Sequence, residues 1–307
     1  MALSNEAIDM TLEAAEHGEF SAFCSVYWEP VRFRRDWTTP LAAVPAGAPC
    51  YWLMQAGRRV GGAVLDAGRV GPVFVVPPAE LAAETVDALL RFAAARTPPG
   101  EPIEARGVLD GQREAFERCG FRRVQTRRCM MRPTEPSSVD LPDEWTVRPP
   151  AREDIDELAA MLHASFAEGT GDAGPDPVDE YAAYLAEHFE LAERDEAMRG
   201  ASTVAVDKRT GAIAGVCLIG RVEGWPFVAF AAVLPRCRGR GLATALIRRS
   251  LGALHGLAEP LLLLFVTVGN GAESVYEKLG FWPAPAVTRM SWEPSLQAVD
   301  NIQTLQP

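Results

Sequence analysis

Three arginines and two glycines fall within six residues, Arg236-Cys237-Arg238-Gly239-Arg240-Gly241, between two apolar runs of different period. Phe227 to Leu234 has strand length and is rich in Val, Phe and Ala, whereas Leu246, Ile247, Leu251 and Leu254 share one arc of a helix beginning at Leu242. A strand that turns through glycine into a helix leaves the first helical N–H groups unpaired, with the positive end of the helix dipole behind them. Such a turn can seat an anion. Gly239 and Gly241 lack Cβ and let phosphate oxygens approach the backbone, while Arg236, Arg238 and Arg240 add positive charge. A glycine turn alone also serves merely to reverse the chain, and this reading stands beside the first.

The wider pattern resembles the acyl-CoA-binding motif of the GNAT superfamily of acetyltransferases, Arg/Gln-x-x-Gly-x-Gly/Ala after a strand ending in Val-x-Pro. Val233 and Pro235, then Arg236, Gly239 and Gly241, match it. A second stretch, the strand Leu261 to Val268 followed by Asn270, Ala272 and Tyr276-Glu277-Lys278-Leu279-Gly280-Phe281, is similar to the family's fifth strand and fourth helix. The resemblance implies acetyl-CoA, or another acyl-CoA, as cosubstrate and no metal. It places the cofactor on Val233, Arg236, Arg238, Gly239, Arg240, Gly241, Leu242 and Ala243, with Asn270 toward the pantetheine arm. Acyl transfer needs a fixed donor for the developing oxyanion and a proton for the leaving thiolate. The family implies the Val233 N–H for the first and Tyr276, as general acid, for the second. Many relatives carry a glutamate four residues before Val233, where this chain has Ala229. Glu223, at the start of the hairpin, is then either a base acting through water or a solvated turn residue, and His163 reads as structural.

Stepping Phe281 back by 160 residues reaches Phe121, and Glu277, Lys278 and Gly280 then fall on Glu117, Arg118 and Gly120. This is a repeat of domain size. In the first copy Phe116 replaces Tyr276, and the segment after Pro77 has neither the glycines nor the arginines of the second. The arrangement resembles tandem GNAT proteins of the mycothiol synthase-like type with a degenerate first copy. The expected fold is α/β (α+β), two tandem GNAT-like domains, each a mixed, mostly antiparallel twisted sheet flanked by helices. A degenerate domain over 1–135, a proline-rich linker over 136–144, a catalytic domain over 145–293 and a tail over 294–307 are expected. The pattern predicts helices over Ser4–Glu19, Ala79–Ala95, Ile155–Phe166 and Val178–Leu191, and two late strands, one near Val287–Trp292 and one just before it.

At 307 residues, 48% apolar and 23% charged, the chain supports two ordinary cores. Its formal charge of −11 argues against nonspecific nucleic-acid binding. The amino terminus has no basic signal region and no apolar run is long enough for a bilayer, so no membrane partner and a cytoplasmic location are expected. Six cysteines show neither CxxC pairing nor metal-ligand spacing, and Cys237, in the turn, reads as the one partly exposed. Residues 143–200 carry four Lys and Arg against sixteen Asp and Glu, whereas residues 201–307 carry ten against seven. In the family the first two helices and their loop roof the acceptor side. Glu168, Asp172 and Asp176 are therefore the expected substrate-binding residues, and the expected acceptor is a cationic amine, a small molecule or a peptide. The function expected is an acetyl-CoA-dependent N-acetyltransferase acting by direct attack in a ternary complex. The alternative is a noncatalytic acyl-CoA-binding or interaction module.

Overall fold

The computed structural model describes residues 10–28, 44–45, 47–137, 141–167, 176–222 and 224–294. Its elements in chain order begin with β1 (Met10–Ala14), α1 (His17–Tyr27), β2 (Cys50–Gln55), β3 (Arg58–Asp66), β4 (Arg69–Val75), α2 (Ala83–Ala94), β5 (Ile103–Leu109), α3 (Arg113–Arg118) and β6 (Arg122–Pro133). They continue with β7 (Trp145–Arg148), α4 (Ile155–Phe166), α5 (Val178–Ala192), α6 (Glu196–Ala201), β8 (Thr203–Asp207), β9 (Ile213–Val222) and β10 (Trp225–Val233). The last are α7 (Leu242–Gly256), β11 (Leu261–Thr267), α8 (Gly271–Lys278) and β12 (Trp282–Trp292). Among the described residues no helix is long and apolar enough to cross a membrane.

The chain divides into two compact units, residues 1–127 with 285–307, and residues 128–284. It passes between them inside β6 and again inside β12. Burial gives the reason: Met130, on β6, is fully buried in the core of the second unit, and Met290, 160 residues later on β12, is fully buried in the core of the first. Each copy's last strand thus completes the other copy's core.

The first unit is a mixed, mostly antiparallel sheet in the order β1-β2-β3-β4-β5-β12, flanked by helices, as the sequence predicts. One local expectation fails here. Met10–Ala14 is a strand paired with β2, not part of a helix, and residues 1–9 lie outside the described residues. Met10 and Leu12 turn alternately onto the core, which is a period of two, and the helix begins only where the Glu16 carboxylate accepts the N–H groups of Gly18 and Glu19 at 2.8 and 2.7 Å.

Strands β4 and β5 run parallel, but they pair only through Arg69 with Glu104 and Val70 with Ala105. Beyond that point one side chain spans the gap. Gln112 is buried, donates from Nε2 to the Val73 carbonyl at 2.7 Å and accepts the Leu109 N–H on Oε1 at 3.2 Å. The Trp28 indole donates to the Gly107 carbonyl at 2.7 Å, and Gly107 sits at φ +74° where any Cβ would stand 2.5 Å from that ring. Gln112→Ala should therefore strand a buried carbonyl and a partly buried N–H, costing about 2–4 kcal/mol of unfolding free energy. Urea denaturation measures this, and a loss below about 0.5 kcal/mol, the range of neutral surface changes, would show that the stitch carries no weight.

The second unit has the order β6-β11-β10-β9-β8-β7. Its large core runs from Trp145 and Leu158 through Ile219 and Leu246 to Phe281. Helix α6 and strand β6 have no counterpart in the sequence reading, and the two late strands expected are one continuous strand, β12.

Candidate functional site

Strand β10 is antiparallel to β9 along its length but parallel to β11 only at Phe227 with Leu263 and Val228 with Leu264. A bulge follows at Ala229, and bulges bend strands. From there to Val233, β10 has a partner on one side only. The Leu234 N–H donates to the Ala214 carbonyl at 3.0 Å, so by antiparallel alternation the Val233 peptide groups face away from β9, toward the opening. The Val233 carbonyl accepts from Arg238 Nε at 3.3 Å.

The chain then makes one short 3-10 turn, Pro235–Cys237, and reaches Gly239 at φ +74° and Gly241 at φ +78°. Gly241 is the N-cap of α7 and supplies no side-chain acceptor. The backbone N–H groups of Gly239, Arg240, Gly241, Leu242, Ala243 and Thr244 have no acceptor among the described residues. A Cβ built on Gly239 or Gly241 meets nothing within 4 Å. The structure thus gives these glycines a conformational reason, positive φ, before any steric one.

The arginines divide in role. Arg236 is exposed and makes no hydrogen bond or ion pair among the described residues. Arg238 is a strut, since its Nη2 also donates to the Ser165 carbonyl at the end of α4, at 2.5 Å. Arg240 pairs with Glu144 and lies over the Trp145 ring, 4.9 Å from its centroid. Cys237 is buried, contrary to the exposure expected for a turn residue, because the 3-10 turn folds it onto the core.

Helix α8 carries Tyr276 and is held at both ends by β6. Arg128 pairs with Glu273 in its first turn at 3.1 Å, and Arg132 donates to the Leu279 carbonyl at its last. Asn270 caps its start, accepting the Ala272 N–H on Oδ1 at 2.9 Å. Tyr276 is half-buried against the core, edge-on to Phe281 with centroids 6.1 Å apart, and its hydroxyl has no hydrogen-bond partner among the described residues. Burial first, and charge on Cys217 second, push the phenol up to about 12, so it is protonated at any physiological pH. Cys217 itself is pushed up to about 11 by burial, opposed by Ser250 Oγ donating to its sulfur at 3.4 Å.

Glu223, Glu168 and Asp172 lie outside the described residues. The whole of β10, about 25 Å of extended strand, separates Trp225 from Val233. Asp176 is exposed, and its main-chain carbonyl accepts His163 Nδ1 at 3.0 Å. The sequence reading missed His188, which is buried on α5 with its pKa lowered by burial. It also missed the rings of Phe166, Tyr181, Tyr184 and Phe230, which meet on one side of β10. Only the i, i+3 spacing of the two tyrosines hinted at a shared helix face.

Residues 151–281 match the family model described as Acetyltransferase (GNAT) family. No curated protein matches the sequence. Among solved structures, a GCN5-related N-acetyltransferase from Sphaerobacter thermophilus is similar at 17% identity and a TM-score of 0.65, covering 94% of this chain and 97% of that one. A tandem GNAT protein from the clavulanic acid biosynthesis pathway is similar at 18% identity and a TM-score of 0.56, over 94% and 100% of the two chains. An acetyltransferase of the GNAT family from Colwellia psychrerythraea follows at 12% identity and 0.52, over 92% and 100%. At these identities the likeness is one of fold, and it extends through both units.

Proposed function

We propose that the second unit, of which residues 151–281 match the family model described as Acetyltransferase (GNAT) family, transfers an acyl group from acetyl-CoA, or another acyl-CoA, to an amine within a ternary complex. The observation that carries this reading is the run of N–H groups from Gly239 to Thr244 that have no acceptor among the described residues, at a helix start, beside a strand whose paired neighbour has diverged. These groups and Arg236 would hold the pyrophosphate, and Arg238 and Arg240, engaged with protein, would add to the field there rather than ligate. Asn270, which caps α8, would stand toward the pantetheine arm.

Bound acyl-CoA supplies an activated thioester carbonyl. The Val233 N–H, fixed by strand pairing on its other side, would donate to that oxygen as charge develops, without reorganisation. A thiol ionises near ~8.5, well below the value of about 12 to which the Tyr276 phenol is pushed. Complete transfer of the phenolic proton is therefore uphill, and Tyr276 would act by donating to sulfur in the transition state. No carboxylate stands on β10 near Val233, since Ala229 holds that position, and the acceptor's proton would leave through water. In the first unit Gln112 bridges the corresponding gap, and that unit would act as scaffold.

Acetyl-CoA and a panel of primary amines, with thiol release as readout, test the proposal. Turnover with at least one amine is expected. Tight acetyl-CoA binding with no turnover across the panel would instead support a noncatalytic binding module.

A further inference from the structure

The acceptor itself can be narrowed. Phe230, on the one-sided stretch of β10, has its ring 5.2 Å from Tyr184 at 78°, 6.0 Å from Tyr181 at 67° and 6.4 Å from Phe166 at 46°. Phe166 and Tyr181 stand 6.3 Å apart at 21°. Tyr181 and Tyr184 meet Phe230 edge to face while Phe166 stacks on Tyr181, and both kinds of contact are favourable. The cluster is not a closed core: Tyr184 is 45% exposed, and Phe166, Ala229, Phe230 and Ala231 are all half-buried, while Val228, Ala232 and Val233 around them are buried. The interior strand is thus partly open at Phe230, and the exposed Tyr184 ring stands beside it.

The wall also stands at the right place. Phe230 is three residues, about 10 Å, before Val233. Phe166 directly follows Ser165, whose carbonyl shares the Arg238 guanidinium with the Val233 carbonyl. One side chain thereby fixes the end of α4 to the end of β10. We infer that the acceptor is an arylalkylamine, a primary amine joined by a short carbon chain to an aromatic ring, the ring lying on Phe230 and Tyr184 and the nitrogen directed to Val233. This rests on the acyltransfer reading for the position of the nitrogen. The rings alone carry the choice of body: they offer π-faces and apolar area, and suit an aryl group better than a sugar or a polyamine.

The test uses the full chain with acetyl-CoA and three probes, 2-phenylethylamine, glucosamine and spermidine. The expected kcat/KM for 2-phenylethylamine exceeds the other two by tenfold or more. Phe230→Ala should raise its KM about tenfold while the KM for acetyl-CoA stays within twofold. Tyr184→Ala, at an exposed position that folding tolerates, should raise the KM for 2-phenylethylamine at least threefold. A preference for glucosamine or spermidine, or unchanged KM in both variants, overturns the inference and leaves acyl transfer standing. If no amine turns over, calorimetry of 2-phenylethylamine against acetyl-CoA-saturated protein decides: saturable binding lost in Tyr184→Ala supports the aromatic wall although acyl transfer has failed, and absence of binding overturns it.

Discussion

Tyr276→Phe is expected to lower kcat by roughly 10² to 10⁴ while leaving the Kd for acetyl-CoA within a few fold. The phenol has no hydrogen-bond partner among the described residues, so removing its oxygen strands nothing in the resting protein. What is lost is a donor to the leaving sulfur, an interaction made mainly in the transition state, which lowers kcat and kcat/KM together. The pH dependence follows from the same burial. A phenol pushed up to about 12 stays protonated through pH 10, so the wild-type rate should show no alkaline limb from this group below that pH. Thiol-release kinetics with any accepted amine and calorimetry of acetyl-CoA measure both halves. An unchanged kcat would return Tyr276 to a packing role, whereas a fall in rate near pH 9 that vanishes in Tyr276→Phe would keep the donor and overturn the raised pKa.

Replacing Gly241 separates two reasons for a glycine at the turn proposed to seat the pyrophosphate. Gly241 lies at φ +78°, ψ 0°, with open space where a Cβ would point. Gly241→Val places a β-branched residue in the left-handed region, at a cost of about 2 kcal/mol or more, and the turn should relax out of the shape that leads into α7. Acetyl-CoA affinity is expected to fall at least about 30-fold, the equivalent of that energy. Gly241→Asn, a residue that visits this region locally, should retain affinity within about fivefold. If the asparagine variant loses as much as the valine variant, the glycine serves close approach of the ligand and not backbone conformation. If neither loses affinity, the turn is not the pyrophosphate seat. Titration with CoA should also find one site per chain, because the corresponding gap of the first unit is closed by Gln112.

By itself the sequence determined the parts whose cause is local. The strand, glycine turn and helix around Gly239 and Gly241 are legible because positive φ and the change of hydrophobic period are properties of adjacent residues. The repeat at 160 residues is legible for the same reason, and Gly120 and Gly280 do occupy matching left-handed positions, φ +86° and +83°. Met10–Ala14 was misread because five residues next to a good helix carry too little pattern to reveal a strand that exists by pairing with β2. The rest was decided by contacts between distant residues. Which arginine is free depends on Ser165 and Glu144, 73 and 96 positions away from Arg238 and Arg240. The closure of the first unit's gap depends on Gln112 reaching Val73, and the hold on α8 depends on Arg128 and Arg132 of the first copy's last strand. Composition could mark these side chains as polar and no more. Only folding brought each to its partner, because hydrogen bonds and ion pairs act over a few ångströms whatever the separation along the chain.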